Sequence, residues 1–313
     1  MTVLHAPETA TIPVKRALWA MNGDVELFAA HARAEANLDR AERWLAAFER
    51  RFSRFDPLSE LSRLNAAAGR PFRASPALYC LVDLTLGLAR RSGGRFDPTV
   101  LPMLDAAGYD RSFETLTPRP IPRPAPGRRF TWRDVRLESR ARIILMPEGC
   151  GIDLGGIAKG WAVDRMARIL GQACLVNGGG DVYAGAPSQP GEPWRIGVAD
   201  PFTPERDAVV LALQNRGVAT ASTLKRRWQR DGVIAHHLID PRTGRPSRTD
   251  AVQVTVIAPS ATEADYHAKV ALLMGIRDGL AYLGAQPDVA GLIFRGDGAS
   301  FETARFARFQ EQA

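Results

Sequence analysis

The sequence predicts an α+β fold, with antiparallel or mixed sheets flanked by helices in a single domain. Three observations lead there. Helical patterns come in blocks between runs of strand character, not one helix after each strand as in a wound parallel sheet. A hairpin signal sits near the start, where Asn22-Gly23 separates two short apolar-rich runs. The chain has 313 residues, 45% hydrophobic and 24% charged, which is ample material for a packed core.

Residues 1–15 read as a loose tail and 16–313 as the domain. The hairpin spans about Ala17 to Ala30. A long amphipathic helix follows, about Ala32 to Arg51. Leu38, Ala41, Leu45, Phe48 and Phe52 step by threes and fours along one face, and Glu and Arg fill the other. Pro57 ends that region, and Ser59 to Asn65 makes a short helical turn. Ser75 to Arg91 is a second helix, stopped at Gly93-Gly94. Prolines at 120, 122, 124 and 126 make 119–129 an extended, exposed loop. Phe130 to Met146 reads as two strands.

Gly151-Ile-Asp-Leu-Gly-Gly-Ile-Ala-Lys-Gly160 organises the rest. It reads as a strand end, a glycine turn and the first turn of a helix that stops at Gly171. Such a first turn presents unpaired N–H groups and a positive dipole end, with Lys159 beside them. An anion, most simply a diphosphate, suits that place. A glycine turn before a helix is more often plain packing, and neither the dinucleotide fingerprint nor a Walker loop is present. Strands follow at Cys174–Asn177, Trp194–Val198, Ala208–Leu213, from His236, Val252–Ile257 and Val289–Phe294, and Gly217–Ser222 leads into a basic stretch ending at Trp228. Ser260 to Glu263 has capping-box form and opens a helix to Gly275.

Net charge is +7, mostly from arginines spread along the chain. With no aromatic-interleaved basic repeat and no helix-turn-helix pattern, this favours anionic ligands over nucleic acid. Cys80, Cys150 and Cys174 lack metal-type spacing and lie in apolar contexts, so buried reduced thiols are expected. No run is long enough to span a bilayer, and the first residues show neither a signal-peptide core nor a lipid-attachment cysteine. A cytoplasmic location is the expectation.

Several motifs now stand together: the central turn, Arg95-Phe-Asp-Pro-Thr99, Asn177-Gly-Gly-Gly-Asp181, His237-Leu-Ile-Asp-Pro-Arg-Thr-Gly244 and Glu263-Ala-Asp265. Singly each is weak. In this order and spacing, from about Met21 to Gly298, the set strongly resembles the FAD:protein FMN transferase family, often called ApbE. The resemblance implies binding of FAD and a divalent metal, usually Mg2+. It implies transfer of the FMN half to a threonine hydroxyl of an acceptor protein, with release of AMP. Acceptors in such systems are typically subunits of membrane redox complexes or related flavoproteins.

By the same resemblance, Met21, Arg95, Phe96, Asp97, Asp153, Gly156, Lys159, Asp164 and Leu238 fall at cofactor-binding positions. His237 falls at the family's important histidine. The carbonyl of Ala158 and the carboxylate of Asp265 fall at metal-ligand positions. His236, on the opposite face of a strand, should not share the role of His237.

The chain also departs from the family. Met21-Asn22-Gly23-Asp24 stands where Met-Gly-Thr is common, and Thr220-Ala-Ser-Thr223 where Thr-Ser-Gly-Asp is common. Lys269 occupies the place of a threonine ligand, four residues after Asp265 on one helical face. An ammonium offers only donors and brings its own charge. Either Lys269 turns to solvent or pairs with Asp265, or it takes the metal's place. A FAD-binding relative with weak or no transfer activity, a carrier or sensor, is therefore the alternative function.

Overall fold

The computed structural model describes residues 2–3, 13–116, 130–188, 191–230 and 233–311. The proline-rich loop 119–129 lies outside them, as do residues 4–12 of the expected tail. The chain divides into two compact units, one of 1–48, 157–222 and 249–313, the other of 49–156 and 223–248.

The first unit is built on an eight-stranded sheet, counted among the described residues. Its strands lie side by side in chain order: Val14–Ala20, Gly23–Ala29, Cys174–Gly178, Val182–Ala184, Arg216–Ser222, Ala251–Ala258, Ala290–Arg295 and Ser300–Glu302. Every neighbouring pair is antiparallel. Cys174–Gly178 is buried at all positions, as befits a strand covered on both faces. One face carries helices α5 (Ala158–Leu170), α6 (Ala261–Met274) and α7 (Ile276–Ala285). On the other, Leu175, Val182, Val218 and Leu292 join Trp194, Ile196 and Leu211 of the strands Trp194–Ala199 and Asp207–Leu213 in one apolar cluster. Thr2–Val3 pairs with the first of these strands.

Two turns in this unit show why local chemistry matters. Ala20 pairs with Gly23, so the tip of the first hairpin is Met21-Asn22, not the Asn22-Gly23 expected from sequence. Both tip residues have positive φ, 54° and 59°, the pattern of a type I′ turn, which Asn tolerates well. Farther along, Gly179 and Gly180 have φ of 72° and 102°, and Asn177 Oδ1 accepts the Gly180 N–H at 2.9 Å to close the turn.

The second unit holds the end of α1 (Ala34–Phe52), together with α2 (Glu60–Ala66), α3 (Pro76–Arg91) and α4 (Leu101–Ala106). The predicted apolar face of α1 is buried throughout. Ser75 caps α3, its side chain accepting the Leu78 N–H, while Glu60 binds both the Ser75 N–H and hydroxyl. Phe72–Arg73, Ile143–Leu145 and Arg136–Glu138 form a small sheet. The chain bends through 223–226 before Arg227–Arg230 pairs antiparallel with Val233–His236.

Three expectations change. Gly151–Leu154 is no strand end; its backbone is held by loop contacts, Ile152 N–H to Asn65 Oδ1 at 2.8 Å and Asp153 N–H to the Pro98 carbonyl at 2.8 Å. Helix α7 was not anticipated, because Gly279 and Gly284 dilute its pattern. Cys80 is exposed, whereas Cys150 and Cys174 are buried. Residues 78, 81, 82 and 85 define the buried face of α3, and position 80 points off it. Burial pushes the Cys150 thiol up to about 11 and that of Cys174 to about 12, so both stay inert.

His236 is buried, with Nε2 2.9 Å from the Ser247 carbonyl and Nδ1 accepting the Leu238 N–H at 3.3 Å. These partners assign the neutral, Nε2-protonated ring. Burial holds its pKa below the ordinary value of 6.5. The unfolded chain therefore binds the extra proton first, and stability falls as pH drops through 6.5. Urea melts from pH 7.5 to 5 are expected to show this slope, reduced in His236→Gln. An unchanged slope in that variant would refute the assignment.

Candidate functional site

In the first unit, α5 starts at Ala158 after Ile157, which supplies no side-chain cap to the first turn. Lys159 is not free beside that turn. Its Nζ lies 3.2 Å from Asp181 Oδ2, at the end of the glycine turn. Asp181 is 1% exposed and Asp265, on α6, 2% exposed. The Lys269 ammonium binds Asp265 Oδ1, one helical turn along. Asp265 Oδ2 and Asp181 Oδ2 are buried without a hydrogen bond, so Lys159 and Asp181 make an ion contact that is not an aligned hydrogen bond. Burial first, then the Asp181 charge, pushes Asp265 up to about 6, while Lys269 and Lys159 oppose the shift. Two carboxylates and two ammonium groups thus form one neutral, largely desolvated cluster.

Met21 stands near the glycine turn. A Cβ added at Gly178 would come 3.6 Å from Met21 Cε and 2.6 Å from Val163 Cγ2. Asp164 reaches the start of α6. Its carboxylate accepts the Ala261 N–H at 2.9 Å, the Thr262 N–H at 3.0 Å and the Thr262 hydroxyl. Ser260 takes the Glu263 N–H at 3.2 Å, so the two side chains together cap α6. Glu263 also pairs with His267 at 3.3 Å. Gly160 lets the two helices meet: a Cβ there would lie 2.7 Å from the Ala261 carbonyl oxygen. Asp164→Ala is expected to destabilise the fold by about 2 kcal/mol through lost caps, read by chemical denaturation. A loss below a few tenths would sink that role.

In the second unit, Asp153 is paired with Arg54, Nε to Oδ2 at 3.0 Å. The Arg54 guanidinium lies 4.3 Å from the Phe55 ring centre and 4.6 Å from that of Tyr109. Tyr109 stacks on Trp228 at 5.3 Å and meets the His237 ring edge-on at 6.5 Å. Asp153, Arg54, Tyr109 and His237 are therefore one packed series. His237 is half-buried where His236 is fully buried, and it occupies the bend between Val233–His236 and Ile239–Asp240. Leu238 is buried beside it, its carbonyl accepting the Ser247 N–H at 2.9 Å. Gly155 sits close to Asp153, since a Cβ would come 3.1 Å from Oδ1. Gly156 is the last residue before the chain crosses to the first unit.

Phe96 and Asp97 are buried, and Arg95 is half-buried. Asp97 holds the local turn, accepting from the Thr99 N–H and hydroxyl at 2.9 and 2.7 Å and from the Trp132 N–H at 3.2 Å. Burial raises the Asp240 carboxyl, but the Arg242 hydrogen bonds and charge and the Arg95 charge outweigh it and leave it below its usual range. Arg242 grips Asp240 with two N–H donors at 3.2 and 2.8 Å, and Gly244 turns the chain with φ of 67°.

The model of the ApbE family matches residues 19–293. The chain belongs to the ApbE family. It is 32% identical over 262 residues to the FAD:protein FMN transferase of Treponema pallidum (strain Nichols), covering 76% of this chain and 71% of that one. It is 30% identical over 245 residues to that of Klebsiella pneumoniae (strain 342), covering 75% and 70%. The crystal structure of the ApbE protein from Thermotoga maritima MSB8 superposes with a TM-score of 0.87 at 26% identity, over 96% of this chain and 100% of that one. The flavin transferase ApbE from Vibrio cholerae gives 0.79 at 26% identity, over 95% and 99%. The α+β fold is thus that of ApbE structures.

The metal implied by ApbE membership finds a poor fit in these residues. The orphaned oxygen of Asp265 would suit a hard cation. Yet Lys269 already binds the same carboxylate, and Lys159 sits on the neighbouring one. A divalent ion at that carboxylate would face an ammonium in a desolvated place, where like charges repel strongly. No group of three or more His, Cys, Asp or Glu is arranged to hold a metal among the described residues. Among the readings for Lys269, the structure shows it paired with Asp265 and not turned to solvent, its side chain 11% exposed.

Two residues of these clusters escaped the sequence reading. Asp181 stood inside a quoted motif without a role, and its spacing after three glycines was the available signal. Arg54 had no signal at all, because its partners lie up to 99 positions away, at Asp153.

Proposed function

We propose that this chain transfers FMN from FAD to a threonine hydroxyl of an acceptor protein. The threonine oxygen forms a bond to the phosphorus on the FMN side. The diphosphate bridge breaks, AMP leaves, and the hydroxyl proton passes to His237. Phosphoryl transfer of this kind depends mainly on positioning and charge neutralisation. Lys159 and the uncapped first turn of α5 supply positive charge for the diphosphate. Met21 and the Arg95-Phe96 stretch are assigned to the rest of FAD, in keeping with the family. Asp153 acts as a positioning residue through Arg54 and Tyr109.

The observation that carries this reading is the contrast between the two histidines. His236 is buried, neutral and bound to backbone, whereas His237 is partly accessible and steadied by the Tyr109 edge. A general base needs that accessibility. The test is incubation with FAD and a threonine-bearing flavoprotein subunit, with and without Mg2+. Stoichiometric AMP and a covalently fluorescent acceptor are expected. FAD recovered intact would support the second reading, a FAD-binding ApbE relative without transfer. The ammonium at Asp265 favours that alternative, because one charge neutralises a diphosphate less than two.

No helix among the described residues is long and apolar enough to cross a membrane. If the acceptor is part of a membrane redox system, its threonine must therefore come to the enzyme without help from a spanning helix among those residues.

A further inference from the structure

We infer that Lys269 is the resident cation of the Asp265 carboxylate, so that this cluster holds the FAD diphosphate without a divalent metal; the inference rests on the FAD reading above. Three observations converge. Asp265 and Lys269 lie one turn apart on α6, and the ammonium binds Oδ1. That residue pair is 2% and 11% exposed at the side chain, so water does little to screen it. Asp181 and Lys159 repeat the arrangement alongside, with the Asp181 charge felt at Asp265.

The chemistry follows from charge and valence. Asp265 Oδ2 keeps an unused lone pair in a buried place, which by itself would attract a hard cation. A dication there would sit beside a buried ammonium whose carboxylate it would have to share. Removal of Lys269 from that position would require turning a long side chain out of packed surroundings. The ammonium groups of Lys159 and Lys269 each show one contact among the described residues, which leaves N–H donors for phosphate oxygens. Asp265 and Asp181 act as positioning residues that keep both ammonium groups in place.

The decisive measurement is isothermal calorimetry of Mg2+ into the wild-type chain without FAD. No saturable binding up to about 1 mM is expected, and a single site with a Kd below that would overturn the inference. Lys269→Thr, checked for folding by its thermal melt, should gain a Mg2+ site at least 10-fold tighter than wild type. A folded K269T chain with no gain would also overturn it. FAD binding, followed by flavin fluorescence, should change less than 2-fold between EDTA and 5 mM Mg2+ in wild type. A 10-fold loss in EDTA would contradict the inference. Failure to bind FAD under any condition would instead remove the functional reading, while the calorimetry still decides whether lysine excludes the metal.

Discussion

His237→Ala is expected to lower the rate of FMN transfer by roughly 10²- to 10⁴-fold, the usual contribution of a positioned general base. FAD affinity should stay within a few-fold, because the positive groups near the uncapped turn of α5 are untouched. The separation between rate and binding is the point of the experiment. A residue needed only for packing would lower both, or would lower stability. The comparison is single-turnover release of AMP, alongside covalent flavin on the acceptor and FAD titration by fluorescence. His236→Gln is the internal control, since that ring is bound to the Ser247 carbonyl and is expected to affect stability instead. Transfer by H237A at the wild-type rate would end the proposed role.

Gly217→Ala is expected to destabilise the protein by about 3 kcal/mol or more, near the top of the range for overpacking. Gly217 lies on the strand Arg216–Ser222, where the chain entering α6 passes over it. A Cβ would come 2.1 Å from the Ser260 carbonyl carbon and 2.2 Å from the Ala261 nitrogen. Those are backbone atoms and cannot rotate away. Accommodation would have to lift the N-terminus of α6, breaking the Asp164 and Ser260 caps and moving Asp265 and Lys269 with it. Loss of FAD binding should therefore accompany the loss of stability. Gly284→Ala is the contrast: no atom lies within 4 Å of a Cβ there, so this helical substitution should stabilise by about 0.5–1 kcal/mol. Chemical denaturation of both variants tests the claim, and a neutral G217A would refute the close-approach argument.

How much was legible beforehand depended on how local the cause was. The buried face of α1 was readable because five apolar residues repeat at helical spacing, and all five are buried. The strand Ala251–Ala258 was readable as an apolar run. The hairpin was placed correctly, but its tip was shifted by one residue, because Met21 at φ of 54° is an uncommon choice that nearby packing must support. Helix α7 fell below the threshold of its own pattern. Family resemblance pointed to His237 and Lys159, and spacing put Asp265 and Lys269 on one face. The employment of Asp164 as a cap for α6 could not be seen, because it joins residues 97 positions apart.

The amino-acid sequence by itself determined the α+β class, the main amphipathic helices, the glycine turns and the placing of Asp265 and Lys269 on one helical face. These are properties of neighbours a few residues apart, set by backbone sterics and by helical or strand period. Only the tertiary structure decided what each charge faces: Lys159 on Asp181, Lys269 on Asp265, Arg54 on Asp153. The reason is that desolvation and Coulomb energy depend on distance in space, and the folded chain brings together carboxylates and cations that the linear order keeps far apart.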